Sequence, residues 1–504
     1  MEKIAIIDIG SNMTRLVIAK ILDGGYFVVI DELKEPVRLA QDMEIDGFLR
    51  PLRVQQMIKT LNTFKKLYES HGVNKMFAYG TAAVRRAKNQ KNFVDEVLSQ
   101  CGIKLTVLSQ HEEASLVYTG VINSMDVPKG LIVDIGGGSV KIIYYNRRTL
   151  IAQDTLPFGA VTLTEKFQNK SKDPAERVQM IEEYVAEEVK KLGWFDMIDE
   201  DTKLIGAGGS MRNLGKISRK FKRYPLDMAH NYTVSFKEFD TIYQKVKVLE
   251  IDKAARIKGL SSARVDIFPA ALAILNTLNK TLNFDEIRIS GAGFREGVMF
   301  RYSVPSTAEK PISDVLGHSI YTMLSHFNMN VPHSEHVFDL SLQLYRQLKV
   351  LHKLPRNYIK ILRVAAQLHD IGSSFKFYDH PRHSFYLILH SNLYGIPQKD
   401  LVIAAIAAGL HAKTPLEGME VEQYLTMLNA EEIDAAKKLG VIVRIAECFD
   451  RSMGRVIKGI SCDVLGDSVI LKTECDSDCT LEIKDAMSAV LDFRRAFRKN
   501  LEIL

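Results

Sequence analysis

The chain is poor in several features that would have placed it quickly. Its 504 residues hold five cysteines, no apolar run of 18 or more residues and no low-complexity tract. Without such a run no helical membrane span is expected. The opening "MEKIAIIDIG" lacks the basic start and long apolar core of a secretory signal, so a cytoplasmic chain with no membrane partner is expected. Cys101, Cys448 and Cys462 are scattered. Cys475 and Cys479 stand close in "CDSDC", but that spacing is wrong for a zinc knuckle and no second pair follows. All five are therefore expected as reduced thiols with no metal or redox role. The net charge of +6 permits a polyanionic ligand without demanding one.

What is present is an internal repeat. "IIDIGSNMTRLVIAK" (Ile6–Lys20) aligns with "IVDIGGGSVKIIYY" (Ile132–Tyr145), placing Asp8 on Asp134, Gly10 on Gly136 and Arg15 on Lys141. Each copy reads as strand, tight turn, strand. Two copies imply two similar α/β domains facing each other across a cleft. An aspartate that ends a strand at a glycine turn can hold hydrated Mg²⁺ beside a phosphate chain, while the turn's N–H groups cradle the phosphates. Alone, each aspartate could simply cap its turn. The second copy, together with the glycine turns "GAGG" (Gly206–Gly209) and "SGAGFREG" (Ser290–Gly297) before helices, favours phosphate.

Between and after the repeats, helical patterns over Leu52–His71, Lys91–Gln100, from Glu112 and over Ala175–Leu192 alternate with strands such as "KMFAYGTAA", "KLTVLS" and "EIRISGAG". A short linker, "YSVPSTAEKP" (Tyr302–Pro311), precedes helix after helix to about Ser452, with histidines at intervals. The tail Gly459–Leu504 reads as short strands, "DSVILKTE" and "CTLEIKD", and a closing helix. The basic stretch holding Lys216, Arg219, Lys220, Lys222 and Arg223 reads as a solvated helix face, and "RRAFRK" (Arg494–Lys499) is similar. Neither has the aromatic interleaving of a nucleic-acid reader, so no specific nucleic-acid partner is expected.

Six motifs fall in order: "IDIGSNMTRLVI", "YGTAAVRRAKN" (Tyr79–Asn89), "LSQHEEASLVYTGV" (Leu108–Val121), "VDIGGGS", "GAGGS" and "GFREG". Together they resemble the exopolyphosphatase / guanosine pentaphosphate phosphohydrolase family, within the superfamily of actin-like ATPase folds. The resemblance implies that Glu113 activates water, that Arg85 of the "T-x-A-x-R" motif binds substrate and that Asp134 helps hold Mg²⁺. It implies phosphate binding by Asp8, Ser11, Asn12 and Arg15 at the first turn. The second turn would contribute Gly136, Gly137, Gly138 and Ser139, and the third Gly208, Gly209 and Ser210. Two positions depart from the family pattern: Gln110 replaces a glycine, and Lys141 stands where "D-I-G-G-G-S-T-E" ends in an acid. A charged lysine cannot ligate Mg²⁺, and its donors are expected on phosphate.

In the helical half, His369 and Asp370 are adjacent in "QLHDIGSS", His336 precedes them in "HSEHVFDLS" and Asp450 follows in "AECFDRS". That order resembles the HD-domain phosphohydrolases. It implies a divalent metal, with Mn, Fe, Co, Zn or Ni suited to imidazole and carboxylate. His383 ("HPRHSFYLIL") and His411 ("GLHAK") stand where two-metal members carry further ligands.

The expected fold is α/β: two actin-like (ribonuclease H-like) α/β domains flanking a cleft (1–122 and 123–303), then an all-α HD-like domain (304–456) and a small α+β C-terminal domain (457–504). The expected activity is exopolyphosphatase, releasing orthophosphate from inorganic polyphosphate in the cleft with Mg²⁺. Alternatives are guanosine pentaphosphate hydrolysis in the same cleft, a metal-dependent phosphohydrolase at the HD-like site, and a non-catalytic sensor of polyphosphate or an alarmone with Lys141 locking the anion. The family's frequent dimers imply a homodimer.

Overall fold

The computed structural model describes residues 2–412 and 419–504. The chain divides into two compact units, Met1–Val315 and Leu316–Leu504. Among the described residues no helix is long and apolar enough to cross a membrane.

The first unit holds two sheets. In the first, β1 (Lys3–Ile9), β2 (Thr14–Ile21), β3 (Phe27–Glu35), β4 (Lys75–Gly80) and β5 (Leu105–Val107) lie in the order β3-β2-β1-β4-β5. The second is built from β6 (Lys129–Ile135), β7 (Val140–Asn146), β8 (Thr149–Leu156), β9 (Lys203–Ala207), β10 (Tyr232–Ser235) and β11 (Glu286–Ile289), ordered β10-β11-β9-β6-β7-β8. In each, an antiparallel three-strand meander leads into a parallel neighbour, β4 beside β1 and β9 beside β6. The two hairpins share one register. Asp8 faces Arg15 across β1 and β2, and Asp134 faces Lys141 across β6 and β7. Both turns close on the same bond, Gly10 N–H to Met13 O at 3.2 Å and Gly136 N–H to Ser139 O at 3.0 Å. The sequence repeat is thus a repeat of backbone geometry. The central strands are apolar on both faces, as parallel strands covered by helices must be.

The helix Gln110–Ile122 belongs to the first half of the sequence but packs its Ala114, Val117 and Val121 on Ile132, Ile143 and Ile205 of the second sheet. A second helix, Phe294–Ser303, lies against it at glycine distance. A Cβ at Gly120 would overlap the Gly293 carbonyl oxygen, and one at Gly297 would overlap that of Leu116. A division after residue 122 therefore separates this helix from the sheet that supports it.

The second unit is largely helical, with a small sheet of β12 (Ile457–Leu465), β13 (Ser468–Cys475) and β14 (Asn500–Ile503) in that order. Two details of the tail differ from the sequence reading. "CTLEIKD" is not a strand: Thr480–Ala486 is a helix, started by Asp478, whose Oδ1 accepts from the Thr480 N–H at 3.0 Å. An aspartate two residues before a helix supplies the acceptor that its first amides lack. Cys475 and Cys479 are joined in a disulfide, because β13 turns directly into that helix and brings them together. This corrects the expectation of five reduced thiols and removes cysteine usage as an argument for a reducing compartment.

Candidate functional site

The glycine turns of the two hairpins meet. A Cβ on Gly137 would lie 3.0 Å from the Ser11 Cβ, and one on Gly138 would press on Ser11 Oγ and, at 3.3 Å, on the Ala82 Cβ. The glycines thus let two turns approach each other as well as a ligand. Behind them lies a cavity of about 130 Å³ lined by Asp8, Ser11, Asn12, Arg15, Glu113, Asp134, Gly136, Gly137, Gly138, Ser139, Lys141, Gly208 and Gly209. These are thirteen of the fifteen cleft residues singled out in the sequence. Ser210 sits just behind, buried and accepting from Arg264 Nη1 at 3.3 Å.

Gly208 opens the helix Gly208–Lys222 at φ +81°, which favours glycine, and any Cβ there would overlap Asp134 Oδ1. Two polar atoms beside the cavity, Asn12 Oδ1 and Ser139 Oγ, are buried without a hydrogen-bond partner. Such atoms are costly unless something arrives to satisfy them.

Three further cavity residues escaped the sequence reading: Arg212, Arg264 and Arg295. With Arg15 they make a cluster of four guanidiniums. Burial, then the neighbouring charges of Arg212 and Arg295, lowers Arg15 to about 10. Burial, then Arg15, lowers Arg264 to about 10. Arg295 is also buried, but Glu296, Glu32 and Asp8 outweigh that burial and hold it above its ordinary value, with Nη1 2.9 Å from Glu32 Oε1. Asp8 is pushed up to about 6 by burial, despite Arg295 and Arg15. Arg295 could have been read from "GFREG", and Arg212 from its place one helical turn after Gly208. Nothing local marks Arg264.

Ser109 and Glu112 form a capping box at the start of the Gln110–Ile122 helix: Glu112 N–H to Ser109 Oγ at 3.2 Å, Ser109 N–H to Glu112 Oε2 at 2.8 Å. Glu112 thereby serves the helix end, and Glu113 is left to face the cavity. Gln110 begins the helix without needing a glycine there. Glu113 is buried, and both its oxygens are engaged, Oε2 by Arg85 Nη1 at 2.9 Å and Oε1 by Lys141 Nζ at 2.5 Å. Burial opposes its charge, but Lys141 and then Arg85 overcome this and hold its carboxyl below the ordinary range. Arg85 therefore faces Glu113 and the Leu108 carbonyl, 2.8 Å away, and does not line the cavity. Its place in the structure is beside the Glu113 carboxylate.

The donor set does not fit Mg²⁺ between Glu113 and Asp134. Lys141 Nζ lies there, 2.5 Å from Glu113 Oε1 and 3.6 Å from Asp134 Oδ2, with a side chain only 5% exposed. Among the described residues, no group of three convergent ligands falls in the cleft.

A sequence pattern of the Ppx/GppA phosphatase family matches residues 17–304, and that of Ppx/GppA phosphatase, domain III, matches 315–486. The chain belongs to the Ppx/GppA phosphatase family. Members of this family are hydrolases acting on phosphoanhydride bonds, and this Ppx/GppA chain is an enzyme of that class. It is 25% identical over 463 residues to a guanosine-5'-triphosphate,3'-diphosphate pyrophosphatase of Aeromonas salmonicida, spanning 90% of this chain and 88% of the relative. The Aquifex aeolicus family member is 26% identical, with a TM-score of 0.51 over 60% of this chain and 98% of that one. An exopolyphosphatase of Cytophaga hutchinsonii, 23% identical, shares the fold with a TM-score of 0.55 over 60% and 98%.

The second unit of this Ppx/GppA phosphatase gathers a different set. His369, His380 and His411 each place Nδ1 on the carbonyl three residues earlier: Ala366 at 2.8 Å, Phe377 at 2.8 Å and Ala408 at 2.5 Å. Their Nε2 atoms converge on Asp370 Oδ1 at 3.7, 3.0 and 3.7 Å. His333 joins His369 and Asp370, with Nδ1 2.8 Å from Asp450 Oδ2. His369 Nε2 is buried with no partner. Fixing Nδ1–H on a carbonyl leaves the Nε2 lone pair free for a metal, so the donor set fits a divalent transition ion. Three of the sequence assignments change, those of His336, His383 and Asp450. His336 lies outside the cluster and His333 takes its place. His383 packs against the Phe375 ring at 4.9 Å, and His380 takes its place. Each pair is one helical turn apart, in "HSEH" and "HPRH", so order along the chain does not tell which member turns inward. Asp450 lies behind the cluster, holding His333.

Proposed function

We propose that the chain is an exopolyphosphatase, cleaving the terminal phosphoanhydride bond of inorganic polyphosphate in the cleft of the first unit. The observation that carries this reading is the cluster of four guanidiniums around a cavity floored by glycine turns. Buried like charges at that density call for a polyanion to neutralise them. The terminal phosphoryl group would rest on the Gly136–Ser139 turn and the start of the Gly208–Lys222 helix, where free N–H groups favour phosphate. Glu113, held ionised, keeps a second lone pair on each oxygen to orient a water and draw its proton. The water oxygen bonds to the terminal phosphorus, the bond to the bridging oxygen breaks, and the guanidiniums take up the charge. Phosphoryl transfer through a loose transition state asks for positioning and charge stabilisation more than for a strong base, which suits a carboxylate of lowered pKa.

The named function of the Aeromonas relative favours guanosine pentaphosphate as the alternative substrate. Both candidates end in the phosphoanhydride that this chemistry addresses. The test is orthophosphate release by the full chain from each, measured side by side. Release from either that follows saturation kinetics supports hydrolysis in this chain. Tight binding of polyphosphate with no release from either makes the chain a sensor and overturns the proposal.

A second reading rests on the convergent imidazoles. His369, Asp370, His380 and His411, with His333 beside them, would hold Mn, Fe, Co, Zn or Ni as a separate phosphohydrolase centre. Such a metal supplies a nucleophilic water near neutral pH. Metal analysis of protein purified without chelator tests it; absence of any transition metal would count against it.

A further inference from the structure

The hairpins match in register, yet the two cations that face their aspartates are used differently. Arg15 borders the cavity among three other guanidiniums. Lys141 sits between Glu113 and Asp134, 2.5 and 3.6 Å from their oxygens, and is almost wholly enclosed. Burial alone would strip its proton, but Glu113 and then Asp134 keep it charged. A magnesium ion serving the same two carboxylates would need their oxygens at about 2.0–2.1 Å. That puts it in the volume the ammonium fills, and the two cations would repel at close range in a poorly solvated site.

We propose that the Lys141 ammonium is the cleft's own cation, standing where a divalent metal would otherwise bridge Glu113 and Asp134, so that the cleft grips a phosphate chain without a metal. This rests on the reading of the cleft as a polyphosphate site. An ammonium has three N–H donors. Glu113 engages one at 2.5 Å, Asp134 Oδ2 at 3.6 Å attracts the charge without a hydrogen bond, and a donor is left for a phosphate oxygen at the mouth of the Gly136–Ser139 turn. A divalent cation in solution then acts only as a counter-ion of the free polyanion and competes with the guanidiniums for it. Raising Mg²⁺ weakens binding or leaves it unchanged.

The experiment is calorimetric titration of the full-length protein with imidodiphosphate, whose P–N–P bridge resists hydrolysis, in EDTA and in excess MgCl₂ at matched ionic strength. The native protein is expected to bind in EDTA as tightly as in MgCl₂, to within about threefold, or more tightly. Lys141→Met is expected to lose about tenfold in EDTA, the worth of one charged hydrogen bond, and to regain it in MgCl₂, because the two carboxylates are then open to the ion. Native binding that drops about tenfold or more when Mg²⁺ is removed overturns the proposal. So does Lys141→Met binding like the native protein in EDTA. The first comparison needs no variant, so a misfolded Lys141→Met protein leaves it standing. Absence of binding in both buffers is a separate outcome: it removes the polyphosphate reading of the cleft, and this proposal with it.

Discussion

The cleft of the first unit and the histidine cluster of the second both bring carboxylates together under cover, and they balance the charge in opposite ways. In the cleft three carboxylates have a cation beside them: Asp8 lies in the field of Arg295 and Arg15, Asp134 faces Lys141, and Glu113 pairs with Lys141 and Arg85. In the cluster, Asp370 is surrounded by imidazoles whose protons are already committed to backbone carbonyls. The first arrangement is complete in cations and short of anions. The second offers lone pairs and is short of a cation. Opposite deficits call for opposite ligands, and the proposed ones are a phosphate chain for the first and a metal for the second.

The largest expected effect separates the two regions by metal content. Asp370→Asn is expected to weaken metal retention at least ~100-fold, since it removes the carboxylate on which three Nε2 atoms converge. Asp134→Asn is expected to leave the metal content unchanged. Elemental analysis of both variants checks this, and equal loss in both would erase the distinction.

Next comes the support of Glu113. Gly120→Ala forces a methyl group into the Gly293 carbonyl where the two helices touch, and is expected to cost about 3 kcal/mol in urea unfolding. It should also lower phosphate release, because the displaced helix carries Glu113, while the metal content of the second unit stays constant.

A smaller effect concerns pH. Burial raises Asp8 from 3.8 to about 6. A carboxyl raised in the folded state contributes stability below its unfolded pKa and loses it as pH rises through the folded one. Relative to the native protein, Asp8→Asn is therefore expected to gain about 2–3 kcal/mol between pH 4 and pH 7, read from denaturation at each pH. No gain would mean that Arg15 and Arg295 already offset the burial. The smallest effect is Arg212→Ala, expected to raise KM for polyphosphate about tenfold through the loss of one charged contact.

How much of this was legible in the sequence depends on how far apart the cooperating residues lie. The hairpins were legible because a short apolar run and a glycine turn are local, and the repeat doubled the signal. Glu113 was legible through the family resemblance, and the capping box shows why Glu112 beside it is the structural one of the pair. Arg264 was not legible, because its approach to the Gly208 turn joins segments more than one element apart and leaves no periodic trace. His333 and His336 stand about one helical turn apart on one helix, so chain order could not choose between them. The tail was misread where seven residues alternate like a strand but follow an aspartate that starts a helix. Lys141 was conspicuous in the sequence as a departure from pattern, but its partners were not: it donates to Glu113 and lies in the field of Asp134.

The central claim is that phosphoanhydride hydrolysis occurs in the cleft. Its most direct test is steady-state orthophosphate release from polyphosphate by Glu113→Gln and Asp370→Asn, prepared and assayed together with the native protein. Loss of the water-orienting carboxylate is expected to lower kcat by about 10²–10⁴, with Asp370→Asn turning over as the native protein does. Release that survives in Glu113→Gln and disappears in Asp370→Asn would contradict the account and move the chemistry to the second unit.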